Sequence, residues 1–241
     1  CRLCGSSDLE EVWDLGEQWV VDFLGEGEQG FKAPLLVVLC RSCGLAQLKH
    51  TVDRDLLYRR YFYRSGTSET MREALKDVVK AAVEVAGVKA RDLVLDIGSN
   101  DSTLLNNYAP DVVCVGFEPA LNIDTRQKHH FGEPGSPDYW DVTDGDERFT
   151  VKDYFSLAAY KNQYPRAKLN HAKAITSVAV FYDVDEPVQF IADIARFLAP
   201  DGLWINQMNF VGPVMRNNAF DFLSHEHVTL WSLPVFVKAV A

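Results

Sequence analysis

Four of the five cysteines fall in two C-x-x-C pairs, Cys1-Arg-Leu-Cys4 and Cys40-Arg-Ser-Cys43, and each pair is followed by a glycine, Gly5 and Gly44. Thiolates at this spacing converge on one cation, and a glycine just beyond relieves crowding where backbone N–H groups turn toward sulfur. Cys1, Cys4, Cys40 and Cys43 together make a tetrahedral set with no open position, the pattern of a structural Zn2+ site rather than a catalytic one. Disulfides are the competing use of these residues, but no secretory signal pattern accompanies them. The long segment between the pairs should carry strands of its own, with Trp19–Phe23 and Leu35–Leu39 as candidates. Cys114 lies in a hydrophobic run and reads as an inert core thiol.

A second group of chemistry-bearing residues follows hydrophobic strands. Leu93-Val-Leu-Asp96-Ile97 reads as a buried strand that ends in Gly98-Ser99-Asn100-Asp101-Ser102. The next strand, Val112–Phe117, ends at Glu118-Pro119. In α/β sheets, ligands sit at the carboxyl ends of the strands. Gly98 allows close approach to the backbone, and Glu118 is placed to accept both hydroxyls of a ribose. That pairing marks a nucleoside-type cofactor and by itself fits NAD or S-adenosylmethionine. A dinucleotide fingerprint wants G-x-G-x-x-G to seat a pyrophosphate. This loop has one glycine, followed by Asn100 and Ser102, so a cofactor without a phosphate fits it better.

The elements that must hold these residues alternate. Residues 68–86 place Met71, Leu75, Val78, Val79, Ala82, Val83 and Ala86 on one helical stripe, with Ser68 as N-cap and Gly87 as the stop. A further helical stretch runs through Leu105. A strand is expected at Ala174–Val178, then a helix opened by Asp185-Glu-Pro187 and running to about Leu198, then a strand at Leu203–Gln207. Strand and helix alternating across short turns predict a parallel α/β sheet with helices on both faces. Residues 124–148, with His129-His130 and several Gly and Pro, read as a surface insertion or irregular loop.

Together these features resemble the zinc-containing class I methyltransferases that act as nucleotide-diphospho-sugar C-methyltransferases, over nearly the whole chain. The resemblance rests on the two cysteine pairs, on Tyr61-Phe-Tyr63-Arg-Ser65-Gly-Thr-Ser68, on Leu95-Asp-Ile-Gly-Ser-Asn-Asp101, on Phe117-Glu-Pro119 and on His225-Glu226-His227. It implies a Rossmann-like class I methyltransferase sheet preceded by a small zinc-binding module. It implies S-adenosylmethionine as cofactor, held by Asp96, Gly98, Ser99, Asn100, Asp101, Glu118 and Pro119. The implied substrate is a nucleotide-linked keto-deoxysugar, methylated on carbon through an enolate. His227 matches the position of the base, with His225 beside it, Glu226 a residue that orients the sugar, and Tyr63 a tyrosine able to donate to the enolate oxygen. Two departures stand out: Ser102 replaces a glycine of the family loop, and Ser224 stands where many relatives carry tyrosine. The competing readings are a methyltransferase on another small-molecule acceptor and a non-catalytic zinc-bearing binding protein, which Ser102 favours.

Composition narrows the field. The 241 residues are 47% hydrophobic and 24% charged, ordinary for a globular chain. The net charge of -10 argues against general nucleic-acid binding. No apolar run approaches the ~20 residues of a membrane span. A cytoplasmic protein acting on a small molecule is therefore expected. Charge is uneven: residues 1–30 hold one Arg and eight Asp or Glu, whereas residues 31–65 hold seven Lys or Arg and two Asp. Arg54, Arg59, Arg60 and Arg64 are candidates for attracting a phosphorylated substrate.

The expected division is a zinc-binding module over residues 1–65 and a cofactor-binding domain over residues 66–241. The start at Cys1 and the stop at Ala241, in the helix after the fifth strand, read as the ends of a piece whose last strands and C-terminal domain lie elsewhere. Expressed alone, these 241 residues should be poorly soluble, because an unpaired sheet edge invites association. A monodisperse product that melts cooperatively would refute this expectation.

Overall fold

The computed structural model describes residues 1–20, 24–125, 129–131, 140–142, 148–163 and 171–241. In chain order its strands and helices begin with β1 (Leu9–Trp19), β2 (Lys32–Cys40), β3 (Ala46–Leu48), α1 (Arg54–Tyr58) and α2 (Glu69–Ala86). Next come β4 (Leu93–Ile97), β5 (Val113–Phe117), β6 (His129–Phe131), β7 (Trp140–Val142), β8 (Arg148–Val151) and α3 (Leu157–Gln163). The last are β9 (Ala172–Val178), α4 (Pro187–Phe197), β10 (Leu198–Gln207), α5 (Val211–Arg216), β11 (Thr229–Leu230) and α6 (Leu233–Val240). Among the described residues, no helix is long and apolar enough to cross a membrane.

Contacts gather the chain into two compact units. One joins Cys1–Phe62 to Ala179–Ala192 and Gln207–Ala241, and the other joins Tyr63–Val178 to Asp193–Asn206. The expected boundary near residue 65 follows chain order. The units follow pairing, and they return the C-terminal residues to the first segment.

The first unit is built on a sheet of order β1-β2-β3-β11. Its pairings are antiparallel, with Val38 opposite Gln47 and Gln47 opposite Thr229. The expected strand over Leu35–Leu39 is the buried middle of β2. The strand expected at Trp19–Phe23 instead ends at Trp19, and residues 21–23 lie outside the described residues. β1 is largely exposed and rich in acids, as suits an outer strand. A C-terminal aromatic cluster packs in this unit. Trp231, fully buried, stacks on Phe181 at 5.0 Å, and Phe190 and Phe236 close on Phe181 at 5.5 and 5.7 Å. Such ring pairs add about 0.5–1.5 kcal/mol beyond their buried area. They fix the turn Phe181–Asp183.

The second unit holds the α/β sheet, of order β10-β9-β4-β5-β8. The pairings of β4 with β9, β4 with β5 and β5 with β8 are all parallel, with Leu95 opposite both Ile175 and Val115. The central strand is buried because both faces are apolar, as parallel strands require. α2 begins where expected: the Ser68 hydroxyl accepts the Met71 N–H, and Gly87 ends the helix at φ 67°. Its stripe of Leu75, Val79, Ala82 and Ala86 packs in one cluster with Val94, Leu105, Tyr108 and Cys114. The helical stretch expected after β4 is only a 3-10 turn, Leu105–Asn107. Arg148 is almost fully buried beneath it and donates to the carbonyls of Leu105, Tyr108 and Ala109, which satisfies a charge that burial would otherwise penalise. Of the insertion expected at residues 124–148, most lies outside the described residues; its described parts include β6 and β7, which pair antiparallel.

Candidate functional site

The four thiols of the C-x-x-C pairs converge. Their Sγ atoms all lie within 4.8 Å of one another, with Cys1 and Cys43 at 3.6 Å and Cys4 and Cys40 at 3.6 Å. Zn–S bonds of ~2.3 Å in a tetrahedron set sulfurs about 3.8 Å apart, so this donor set fits Zn2+. The glycines take left-handed turns, with their N–H groups on carbonyls and not on sulfur. Gly5 and Gly44 adopt φ 72° and 82° and return their N–H groups to the carbonyls of Cys1 and Cys40. Burial raises the Cys40 thiol, but N–H groups of Cys43 and Ser42 and its thiol neighbours outweigh that and bring it down to about 7. Cys114 is buried in the other unit and pushed up to about 12, which keeps it an unreactive thiol.

The loop after β4 is held from three sides. Gly98 and Ser99 both donate backbone N–H groups to the carbonyl of Phe117, at 2.9 and 3.0 Å. Asn100 donates its N–H to Oε2 of Glu118 at 2.8 Å, and Ala120 donates to Oε1 at 2.8 Å. The Asn100 side chain takes the Ser65 N–H and donates to the Tyr63 carbonyl, and Asp101 takes the Gly66 N–H. These bonds require sharp turns, and Gly98, Asn100 and Ser102 all have positive φ, at 71°, 51° and 62°. Ser102 thus occupies a left-handed position that glycine would fill more cheaply. Its hydroxyl compensates by donating to the Thr125 carbonyl at 2.9 Å. Gly116 on β5 lets the loop lie close, since a Cβ there would stand 2.5 Å from the Ser99 hydroxyl.

Three observations fit a nucleoside cofactor here. Gly98 offers no side chain to obstruct one. The buried Ser99 hydroxyl has no hydrogen-bond partner. Each Glu118 oxygen uses one lone pair on the loop and keeps another, enough for a ribose diol. Pro119, half-buried, follows Glu118. Lys152 donates to the carbonyls of Ala120 and Ile123, both at 2.9 Å, and Arg64 to that of Asn122, so this turn is held by cations. Burial raises the Glu118 carboxyl, against the pull of its two N–H donors. Asp96 is different in kind. Its carboxyl is buried inside the sheet, accepts the Thr176 hydroxyl at 2.6 Å, and is raised to about 7 by burial and by Glu118 nearby.

The three residues of His225-Glu226-His227 do separate jobs. His225 is buried and its Nε2 donates to the Ala33 carbonyl of β2 at 3.0 Å, tying the segment to the sheet. His227 donates from Nδ1 to the Phe222 carbonyl at 2.5 Å, with its ring against Phe222 at 4.4 Å and edge-on to Tyr182 at 4.6 Å. With its N–H placed on Nδ1, the neutral ring presents Nε2 as a lone pair. Burial holds this histidine below its ordinary value, so it is neutral at pH 7. Glu226 is raised by burial and eased by a hydrogen bond from Tyr61, while its carbonyl lies 3.3 Å from the Tyr58 hydroxyl.

Tyr63 falls in the other unit, where its carbonyl serves the Asn100 side chain and its hydroxyl is raised by burial and by Asp101. The structure therefore groups Tyr63 with the Gly98–Asp101 loop, and groups His225, Glu226 and His227 with the metal-ligand cysteines. Tyr58, Tyr182 and Asp183 surround Glu226 and were not singled out by sequence. The signal available was their place: Tyr182 and Asp183 come within five residues of the carboxyl end of β9, which stops at Val178. Among the arginines expected to attract phosphate, Arg59 pairs with Asp55 at 3.1 Å, Arg60 pairs with Glu28 at 2.7 Å, and Arg64 holds carbonyls.

These features have counterparts among known proteins. Residues 1–58 match a family model described with the words "zinc binding domain", and with the converging thiols this makes the first segment a zinc-binding module. Over 242 aligned residues the chain is 29% identical to the C-methyltransferase NovU of Streptomyces niveus, an alignment that takes in 97% of this chain and 52% of that protein. The chain thus spans about half the length of the curated relative it matches. Among solved structures, the cyclopropane synthase MmaA2 from Mycobacterium tuberculosis aligns at 15% identity with a TM-score of 0.47, covering 77% of this chain and 67% of that one. The Haemonchus contortus phosphoethanolamine N-methyltransferase 2, solved with S-adenosyl-L-methionine, aligns at 12% identity with a TM-score of 0.44, covering 88% and 46%.

Two measurements follow from the geometry. The purified chain should hold about one zinc, and Cys40→Ser should lose it and lower the melting temperature, because structural zinc binding is folding free energy; equal metal content in both proteins would refute the site. Asp96 binds its proton more tightly folded than unfolded. The stability it contributes is present below about pH 4 and is lost as pH rises toward about 7. Denaturant midpoints of Asp96→Asn should therefore gain on wild type as pH rises from 5 to 8. A pH-independent difference would mean that Asp96 is ionised throughout.

Proposed function

We propose that this chain carries an S-adenosylmethionine-dependent C-methyltransferase whose acceptor is a nucleotide-linked keto-deoxysugar. The observation that carries the reading is His227, a half-buried neutral imidazole with Nδ1 committed to the Phe222 carbonyl and Nε2 left as a base. The similarity to a C-methyltransferase along nearly the whole of this chain supports the same reading. Glu118, Gly98, Ser99, Asn100, Asp101 and Pro119 would hold the cofactor, with Asp96 beneath them bracing the strand. When bound, the cofactor supplies an electrophilic methyl group on a sulfonium sulfur.

The chain's own part is acid–base work. His227 Nε2 takes the proton from the carbon beside the sugar carbonyl, and the C–H electron pair moves into an enolate whose charge rests on oxygen. The enolate carbon would then be nucleophilic toward the methyl group that a bound cofactor supplies; the carbonyl would re-form as the C–C bond is made, and the broken sulfur–methyl bond would leave its electron pair on sulfur. A histidine held below its usual value is suited to this step, because it is unprotonated at pH 7 and ready to accept. Glu226, between the base and Tyr61, orients the sugar hydroxyls, and His225 holds the segment on β2. Tyr63 is assigned a hydroxyl contact to substrate beside the Gly98–Asp101 loop.

The test is incubation with S-adenosylmethionine and a panel of nucleotide-linked 4-keto sugars, read by mass. One product should gain a methylene, and His227→Ala should lower its rate by about 10²–10⁴-fold. Full activity in that variant would overturn the assignment of the base. No mass gain on any sugar would overturn the substrate class.

A further inference from the structure

One carboxyl in the first unit has no use in the mechanism above. Asp183 closes the turn Phe181–Asp183, and its Oδ1 is shielded from solvent with no hydrogen-bond partner. A buried oxygen left unpaired is unfavourable, so one that persists calls for a reason. The turn that presents it is rigid. The Phe181 ring is locked by Trp231, Phe190 and Phe236, the Tyr182 carbonyl takes the Thr229 hydroxyl at 3.0 Å, and the Asp183 N–H returns to Val180 at 2.9 Å. The aspartate is therefore held in place rather than left loose.

Its neighbours are those of the candidate base. Tyr182, the preceding residue, packs its ring 4.6 Å from the His227 ring. The Tyr58 hydroxyl bonds Asp183 and also lies 3.3 Å from the Glu226 carbonyl. Among the described residues, the charged and titratable groups that face Asp183 are Glu226, Tyr58 and Tyr182, and none of these is a cation. A second buried oxygen without a partner, the Ser224 hydroxyl, sits three residues from His227. Two unpartnered polar oxygens near a neutral base are hydrogen-bonding positions open to a polar ligand.

We propose that Asp183 is the acid of this site: its carboxyl is kept protonated, and its O–H donates to the substrate oxygen that gains charge as His227 Nε2 removes the proton from the adjacent carbon. The proposal rests on the reading of His227 as an enolising base. The balance is simple. His227 gains the proton, the C–H pair becomes the enolate, and Asp183 keeps its own proton while sharing it in a hydrogen bond. Burial and the like charge of Glu226 both disfavour the ionised form of Asp183, so it stays a donor at neutral pH, with only Tyr58 pulling the other way. A neutral carboxylic acid and a neutral imidazole that share Tyr182 and Glu226 as neighbours divide the labour between donor and acceptor, as pairs with oppositely displaced acidities do.

The experiment uses the full chain and two variants, Asp183→Asn and Asp183→Leu. Infrared difference spectra at pH 7, wild type minus Asp183→Asn, should show the C=O band of a carboxylic acid. On the methylated keto sugar, Asp183→Leu should lose about 10²–10³-fold in kcat, as removal of one donor to an oxyanion does. Asp183→Asn, which retains an N–H donor, should keep much more of the rate and lose the alkaline fall in the wild-type pH profile. Absence of the acid band overturns the proposal whether or not any sugar is methylated. A band present with kcat of folded Asp183→Leu within about threefold of wild type makes the acid structural and also overturns it. If Asp183→Leu fails to fold, an unchanged alkaline limb in Asp183→Asn does the same. A band present with no turnover of any sugar overturns the methyl-transfer reading and takes the donor role with it.

Discussion

The pairing of β11 with β3 is the constraint on which the candidate acceptor site depends. Two residues, Thr229 and Leu230, bond to Gln47 and Ala46, and the Leu48 N–H adds a bond to the Val228 carbonyl at 2.9 Å. β3 follows Cys43 directly and pairs with β2, which ends in Cys40. The metal ligands therefore set the edge against which His227 is placed. His225 completes the arrangement by reaching Ala33 on the same β2. A cation held by the four thiolates would thus steady the edge on which a segment nearly two hundred residues along the chain takes its register. The metal-ligand cysteines and the candidate base flank strands of one sheet.

The α/β unit solves a different problem, that of holding an anionic acceptor in a buried place. Glu118 sits where burial opposes its charge, and two backbone N–H groups oppose the burial. Those N–H groups belong to Asn100 and Ala120, so the carboxylate and the loop stabilise each other. The requirement for left-handed backbone follows from this mutual fit. Asn100 and Ser102 accept φ values that glycine would take more easily, because their side chains bond to the Tyr63 carbonyl and the Thr125 carbonyl in return. A serine in place of a family glycine is consequently compatible with the loop. The departure that favoured a non-catalytic reading has a local physical explanation.

Much of this was legible in the chain itself, and the reason is spacing. The cysteine pairs, the Ser68 cap, the Gly87 stop and the Gly98 loop after a buried strand are local patterns, and local geometry enforces them. The α/β alternation is likewise a matter of period. Three things escaped. The outer strand β1 begins at Leu9 instead of near Trp19, because its alternation is masked by acids on both faces. β11 is two residues long, too short for any period to show, and exists only because β3 offers it an edge. Asp183 had no motif around it; its significance comes from Glu226, Tyr58 and the aromatic cluster, which meet it only in three dimensions. The resemblance set His227 apart as the base but gave His225 no job of its own, which shows only in its Nε2 bond to the Ala33 carbonyl.

The same β11–β3 pairing has a consequence for how the chain matures. Gln47 leaves the ribosome long before Thr229 does, so during synthesis the first three strands wait with β3 as an open edge. Closing that edge requires a loop of about 180 residues, and long-range closures of this kind are slow. For that interval the nascent module presents unpaired N–H and C=O groups to whatever else is in reach. Early capture of the metal by Cys1, Cys4, Cys40 and Cys43 would hold β1 and β2 in register through the wait. Both cysteine pairs precede β3 and β11 in chain order, an order of appearance suited to vectorial folding.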